Sequence, residues 1–184
     1  AYADLHIHTT VSDGKTEPEN IIDVAKSANL NAIALTDHDR TNPLISEPLE
    51  TVDSVDVING IELRVLPESL NERIDLLGYG VQETTELSSM TESIEKNRIN
   101  RSNEIIDLIE DETGVRLDFE PSGNTGRPHI AEAVNRNDDI EYGYQGAFDN
   151  LIGRDCPCYV SRNIPSLEEG LSVLKKSTHF ISLA

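Results

Sequence analysis

DLHIHTTVSDG, residues 4–14, sets Leu5 and Ile7 against His6 and His8, a period of two that predicts a short strand. On a strand, residues i and i+2 project from one face, so His6 and His8 point the same way and Asp4 shares their side. Two imidazoles on one face can bind one metal ion, with Asp4 available to orient a ring. Ser12-Asp13-Gly14 reads as a turn at the strand's C-terminal end, which brings the Asp13 carboxylate to the same mouth.

Outward from this stretch, strand and helix signals alternate. Thr16 and Glu19 fit a capping box and Pro18 suits a first turn. Ile21, Ile22, Val24, Ala25 and Ala28 then form one helical face. Residues 31–36 read as a buried strand, and 55–65 and 73–79 as two more. Strand, helix, strand in this order predicts βαβ units and a parallel sheet or barrel. In such folds the strand ends carry the functional groups. The second strand runs into Thr36-Asp37-His38-Asp39, and Gly60-Ile61-Glu62 ends or interrupts the third. Three of the chain's 5 histidines therefore fall at strand ends, beside a carboxylate that can bridge two cations.

The rest of the chain is more helical. Residues 86–112 space Leu87, Met90, Ile94, Ile99, Ile105, Ile106 and Ile109 among charges, as one or two amphipathic helices do. Gly114, Pro121, Gly123 and Gly126 mark a loop before a helical stretch from Pro128. Residues 165–177 predict a short helix and 179–184 a further strand. The organisation expected is 1–85 as N-terminal βα units, 86–160 as a helical insertion and 161–184 as the return to the barrel.

Composition narrows the class. No run of about 18 apolar residues suggests a membrane span, and the start shows no secretory signal. With 37% hydrophobic and 4% aromatic residues, the core must be largely aliphatic. The formal net charge of -19 repels duplex nucleic acid and points to an acidic, halophile-like surface in a cytoplasm. Cys156 and Cys158, one residue apart, suit a reducing compartment and read as an inert pair.

The successive strings DLHIHTTVSDG, ALTDHD (34–39) and NGIEL (59–63) resemble the motifs of the PHP (polymerase and histidinol phosphatase) superfamily. GRPHIAEAV (126–134) and AFDNLIGRDCPCYVSR (147–162) resemble the helical part of its branch of nucleoside 3′,5′-bisphosphate phosphatases and an RNA 5′-end exonuclease. The resemblance implies an α/β fold, a distorted (β/α)7 TIM-like barrel with a helical insertion. It also implies two or three divalent ions (Mn, Zn or Fe) and hydrolysis of a small phosphate ester, of a nucleotide or RNA end, by a metal-activated water. His6 and His8 would share one ion, Asp13 and His38 would serve the others, and Glu62 would bridge. Asp75 stands where much of the family has a histidine ligand. Arg127 would grip the phosphate and His129 protonate the leaving oxygen, although Arg127-Pro128-His129 also reads as a plain helix start. Arg154 and Arg162 are further phosphate candidates. The family's later histidine-proline and aspartate-x-histidine motifs have no counterpart up to Ala184, so the barrel is expected to be incomplete at its C-terminus. Two other readings stay open: a degenerate PHP module with a structural or regulatory role, and a histidinol-phosphate phosphatase.

Overall fold

The computed structural model of the chain describes residues 2–70 and 72–184. Two compact units emerge: one runs to Glu92 and resumes with Ile164–Ala184, and the other is Ser93–Asn163.

The first unit is built on a six-stranded sheet of β1 (Ala3–Ile7), β2 (Ala32–Leu35), β3 (Leu49–Val52), β4 (Val55–Val65), β5 (Ile74–Tyr79) and β6 (Phe180–Leu183). Its order is β1-β2-β4-β5-β6, with β3 beside the first half of β4. β1, β2 and β4 are parallel neighbours, as the alternating pattern predicts. β5 runs antiparallel to β4, and β6 antiparallel to β5. The sheet is open and curled: the Tyr79 hydroxyl on β5 donates to the Leu5 carbonyl on β1 at 3.0 Å, reaching past β2 and β4. The result is a mixed α/β half-barrel.

The helix after β1 departs from expectation. Pro18–Asn20 form a 3-10 turn, and α1 (Ile21–Ser27) follows it directly. Neither start has a side-chain cap, so the Thr16/Glu19 box does not form. Pro18 opens the turn and has no N–H to satisfy, which lessens the demand for a cap. Glu17, not Glu19, makes the local bond, accepting from the Thr10 hydroxyl at 2.6 Å. The buried face is also narrower than predicted. Ile21, Ile22 and Ala25 pack with Ile33, Leu35, Val55 and Val57, whereas Val24 is 50% exposed and Ala28 is exposed.

β3 has no counterpart in the sequence reading. It joins β4 through Asp53 and Ser54, both at positive φ (50° and 70°). That conformation suits a two-residue hairpin, but the usual Asn-Gly or Asp-Gly signature is absent. β4 runs over the whole of the predicted 55–65, so Glu62 lies mid-strand rather than at its end. Gly60 permits the strand to pass close to its neighbours, since a Cβ there would sit 2.8 Å from both the Leu35 carbonyl and the Thr36 methyl. β4 thereby continues from its pairing with β2 into its pairing with β5.

α2 (Thr85–Thr113) is one unbroken helix, in the first unit up to residue 92 and in the second beyond it. The second unit adds α3 (Arg127–Asn135), α4 (Gly143–Ala147) and a π-helical turn, Phe148–Ile152. Its aliphatic core gathers Ile105, Ile109, Ile130, Val134 and Leu151 around buried Cys158. Back in the first unit, α5 (Leu167–Ser177) begins with a true capping box: Ser166 accepts from the Glu169 N–H at 3.2 Å, and Glu169 from the Ser166 N–H at 2.9 Å. Among the described residues, no helix is long and apolar enough to cross a membrane.

Candidate metal centre

The register of β1 on β2 slips between Asp4 and Ile7, so β1 carries one residue more than its partner. Such a bulge turns a strand locally and re-aims its side chains. His6 lies in it and His8 just beyond the strand end. Their Nε2 atoms approach the same oxygen, Glu62 Oε2, at 3.2 and 2.9 Å. His38 arrives from β2. Past Leu35 the chain stays beside β4 through two backbone bonds, Glu62 N–H to the Asp37 carbonyl at 3.1 Å and Asp39 N–H to the Glu62 carbonyl at 2.8 Å. His38 Nδ1 then lies 3.1 Å from Glu62 Oε2. Asp13, on the turn after β1, reaches His8 Nδ1 at 2.9 Å and His38 Nε2 at 3.6 Å. Three overlapping sets have ligand atoms all within 4.8 Å of one another: His6-His8-Glu62, His8-Asp13-His38 and His38-Glu62-Asp75. Asp4 takes a different part from the one expected. Its carboxylate accepts from the His6 backbone N–H at 3.2 Å and holds the bulge rather than a ring.

Asp37, which the sequence reading passed over, organises the turn. It is fully buried and accepts four hydrogen bonds. These come from the Thr9 N–H (2.8 Å), the Thr9 hydroxyl (2.9 Å), the Ser12 hydroxyl (2.7 Å) and the Asn42 amide (2.7 Å). Charged acceptors make such bonds short and strong. Thr9 and Ser12 flank the segment that presents Asp13, so a buried carboxylate at the end of β2 fixes a ligand at the end of β1. Gly14 closes the turn against the His8 carbonyl, where a Cβ would overlap backbone.

The charges in the cluster are coupled. The hydrogen bond to Glu62 holds His8 above its ordinary pKa, against the opposing effect of burial, and Asp13 adds to the rise. Burial lowers His38, and the carboxylates only partly offset it. Burial pushes Glu62 up, but its histidine neighbours outweigh this and hold it below its usual value. In the metal-free chain His8 therefore carries a proton between two carboxylates, a stabilising arrangement fully present below pH ~6.5 and lost as pH rises through the raised value. A metal ion must displace that proton. Mn²⁺ or Zn²⁺ affinity should therefore tighten by roughly tenfold per pH unit from pH ~6 up to the His8 pKa and level off above it. Calorimetric titrations at stepped pH check this, and a flat profile across that range refutes it.

The other candidate residues lie in the second unit. Arg127 opens α3, but its guanidinium donates to the Ile152 carbonyl at 3.0 Å and lies over the Phe148 and Tyr159 rings, 5.9 and 5.5 Å from their centroids. His129 is exposed, and its Nδ1 accepts the Gly126 N–H at 3.0 Å, which leaves Nε2 to carry the proton of the neutral ring. Arg154 is exposed on the turn after the π-helical segment. Arg162 lines a cavity of about 90 Å³ together with Arg98, Arg101, Asn97 and Thr125. The sequence reading missed Arg98 and Arg101, although their three-residue spacing on a helix puts them on one face. The Cys158 thiol is pushed up to about 11 by burial, which makes it inert as a nucleophile.

The PHP domain family matches residues 4–152, and this chain belongs to that family. It is 30% identical over 127 residues to phosphoribosyl 1,2-cyclic phosphate 1,2-diphosphodiesterase of Eggerthella lenta, covering 67% of this chain and 48% of that protein. It is 33% identical over 81 residues to the 5′-3′ exoribonuclease Rnm of Salmonella typhimurium, covering 42% and 27%. With the 3′,5′-nucleoside bisphosphate phosphatase of Chromobacterium violaceum it shares 29% over 107 residues, covering 57% and 37%. The chain thus spans half or less of the length of these relatives. In fold, it superposes on a structure of an amidohydrolase from Chromobacterium violaceum with a TM-score of 0.70 at 23% identity, covering 96% of this chain and 64% of that one.

Proposed function

We propose that this chain carries the metal centre of a phosphoesterase that hydrolyses a small phosphate ester of a nucleotide or an RNA end. One observation supports the reading above others: three imidazoles from two strands approach a single oxygen of the buried Glu62 within 3.2 Å. Nitrogen donors around a shared carboxylate suit Mn, Zn or Fe. His6, His8, Asp13, His38 and Glu62 would hold the ions. Bound there, divalent cations acidify a water and neutralise charge on phosphoryl oxygens.

The chain's own residues then bind, orient and move protons. The Asp37 network keeps Asp13 at the mouth. The arginine-lined cavity of the second unit concentrates positive charge in a chain of net charge -19, which suits an anionic group. We assign His129 to the leaving oxygen as an imidazolium that donates from Nε2 once Nδ1 has exchanged its Gly126 bond for a proton, with Arg127 as a phosphate ligand. The named activities of the relatives, on a cyclic phosphate, an RNA and a nucleoside bisphosphate, share phosphate-ester cleavage and differ in substrate.

The test is a panel of nucleoside mono- and bisphosphates, cyclic phosphates, 5′-phosphorylated RNA and histidinol phosphate, offered to chelator-stripped protein before and after Mn²⁺ or Zn²⁺. Turnover should appear only with metal and be fastest on a nucleotide or an RNA end. A metal-loaded protein inert on the whole panel would overturn the reading in favour of a structural or regulatory PHP module. His129→Ala should lower kcat by about 10²–10⁴-fold on ordinary esters and be largely rescued by a nitrophenyl ester. Arg127→Ala should chiefly raise KM. Equal slowing of His129→Ala on both ester types removes it as the acid.

A further inference from the structure

The third ligand set, His38-Glu62-Asp75, differs from the other two in what holds its carboxylate. Arg64 and Asp75 face each other in the antiparallel β4–β5 ladder. The guanidinium grips both carboxylate oxygens, Nε to Oδ1 at 2.7 Å and Nη2 to Oδ2 at 2.6 Å. This is the fork-to-fork geometry that makes an arginine–carboxylate pair strong. Arg64 cannot give up its proton at any working pH. It also stands two residues from Glu62, and thus on the same face of β4.

Fit to a metal therefore divides the cluster. His6, His8, Asp13, His38 and Glu62 offer ligand atoms that face one another, imidazole to carboxylate, so a metal ion there need only displace protons. Asp75 offers a carboxylate already neutralised by a fixed cation at contact distance. A divalent ion added at Asp75 would gain no uncompensated charge and would meet the guanidinium directly.

We propose that Arg64 takes the place of the cation that the His38-Glu62-Asp75 set would otherwise hold, so that the protein binds two divalent ions and no third. The proposal rests on reading the cluster as a metal centre. Its consequence is a mixed site. Two ions come from solution, and one positive charge is supplied by the chain, beside Glu62, beyond the reach of any chelator. A guanidinium can hydrogen-bond an oxyanion but cannot acidify water, so Arg64 positions and neutralises while water activation stays with the ions held by the other five residues.

Metal counting tests this. Stripped protein is saturated with Mn²⁺, freed of excess and analysed by plasma mass spectrometry. Two ions per chain are expected in the wild type and in Asp75→Asn. Arg64→Ser, which releases Asp75, should bind three, and the double variant should return to two. Three ions in the wild type, an ion lost in Asp75→Asn, or Arg64→Ser remaining at two would each overturn the proposal. A wild-type count below two would overturn the metal-centre reading and this proposal with it. If Arg64→Ser fails to fold, the wild-type and Asp75→Asn counts still decide.

Discussion

Glu62→Gln should weaken metal binding across the cluster, with Mn²⁺ affinity falling by more than ~100-fold, beyond the ~10–100-fold that loss of an outer partner of a ligand brings. The reason is the sharing of one oxygen. Glu62 Oε2 lies 3.2, 2.9 and 3.1 Å from His6, His8 and His38, the three rings of the cluster. Its side chain is 5% exposed, so water cannot replace the lost charge. A glutamine keeps the shape and offers only a neutral oxygen. His8→Ala should come close to the same loss, because His8 belongs to two of the three ligand sets. Competition against a fluorescent chelator measures both variants, and phosphatase turnover should vanish with the metal. An affinity within a few-fold of wild type would show that Glu62 bridges nothing.

Asp37→Ala should produce the largest loss of stability, about 3–5 kcal/mol, the range seen when one partner is removed from a buried charged network. Four donors converge on this carboxylate, and alanine would leave the Thr9 amide and hydroxyl and the Asn42 amide without it in the interior, beside the partly buried Ser12 hydroxyl. Each stranded donor costs about 1–3 kcal/mol, although the turn can relax to recover part of that. Asp37→Asn keeps one acceptor oxygen and should cost less. Urea denaturation of the metal-free variants gives both figures. A loss under ~1 kcal/mol for Asp37→Ala would mean that the network is not what holds the turn.

The contrast between Glu62 and Asp37 shows what a sequence displays and what it hides. His6, His8, His38 and Glu62 are legible because each stands in or beside an apolar strand signal, and strands in a parallel sheet finish together. Asp37 sits between Thr36 and His38 in a run that looks hydrophilic, and nothing local says that one acid there is sealed while its neighbour is a ligand candidate. Burial of a polar group depends on Thr9 and Asn42, 28 and 5 residues away. The pairing of Arg64 with Asp75 is equally silent, because it requires the register of β4 on β5. β3 is hidden as well, since a hairpin turn made by Asp53-Ser54 carries none of the glycine that usually marks one. A capping-box pattern stands at Thr16, where Pro18 removes the need for it, and another at Ser166, where it forms.

The backbone support beneath the cluster is lopsided, and this bears on which ions it accepts. Glu62 is pinned mid-strand, bonded to Asp37 and Asp39 on one side and paired with Leu77 of β5 on the other. His6 hangs from a bulge on an edge strand, its side chain 42% exposed, and Asp13 from a turn, 65% exposed. A change of ionic radius is therefore absorbed on one flank while the other stays put. On the proposed reading, selectivity among divalent ions would be left to supply and ligand softness, while the Glu62 flank would hold its place.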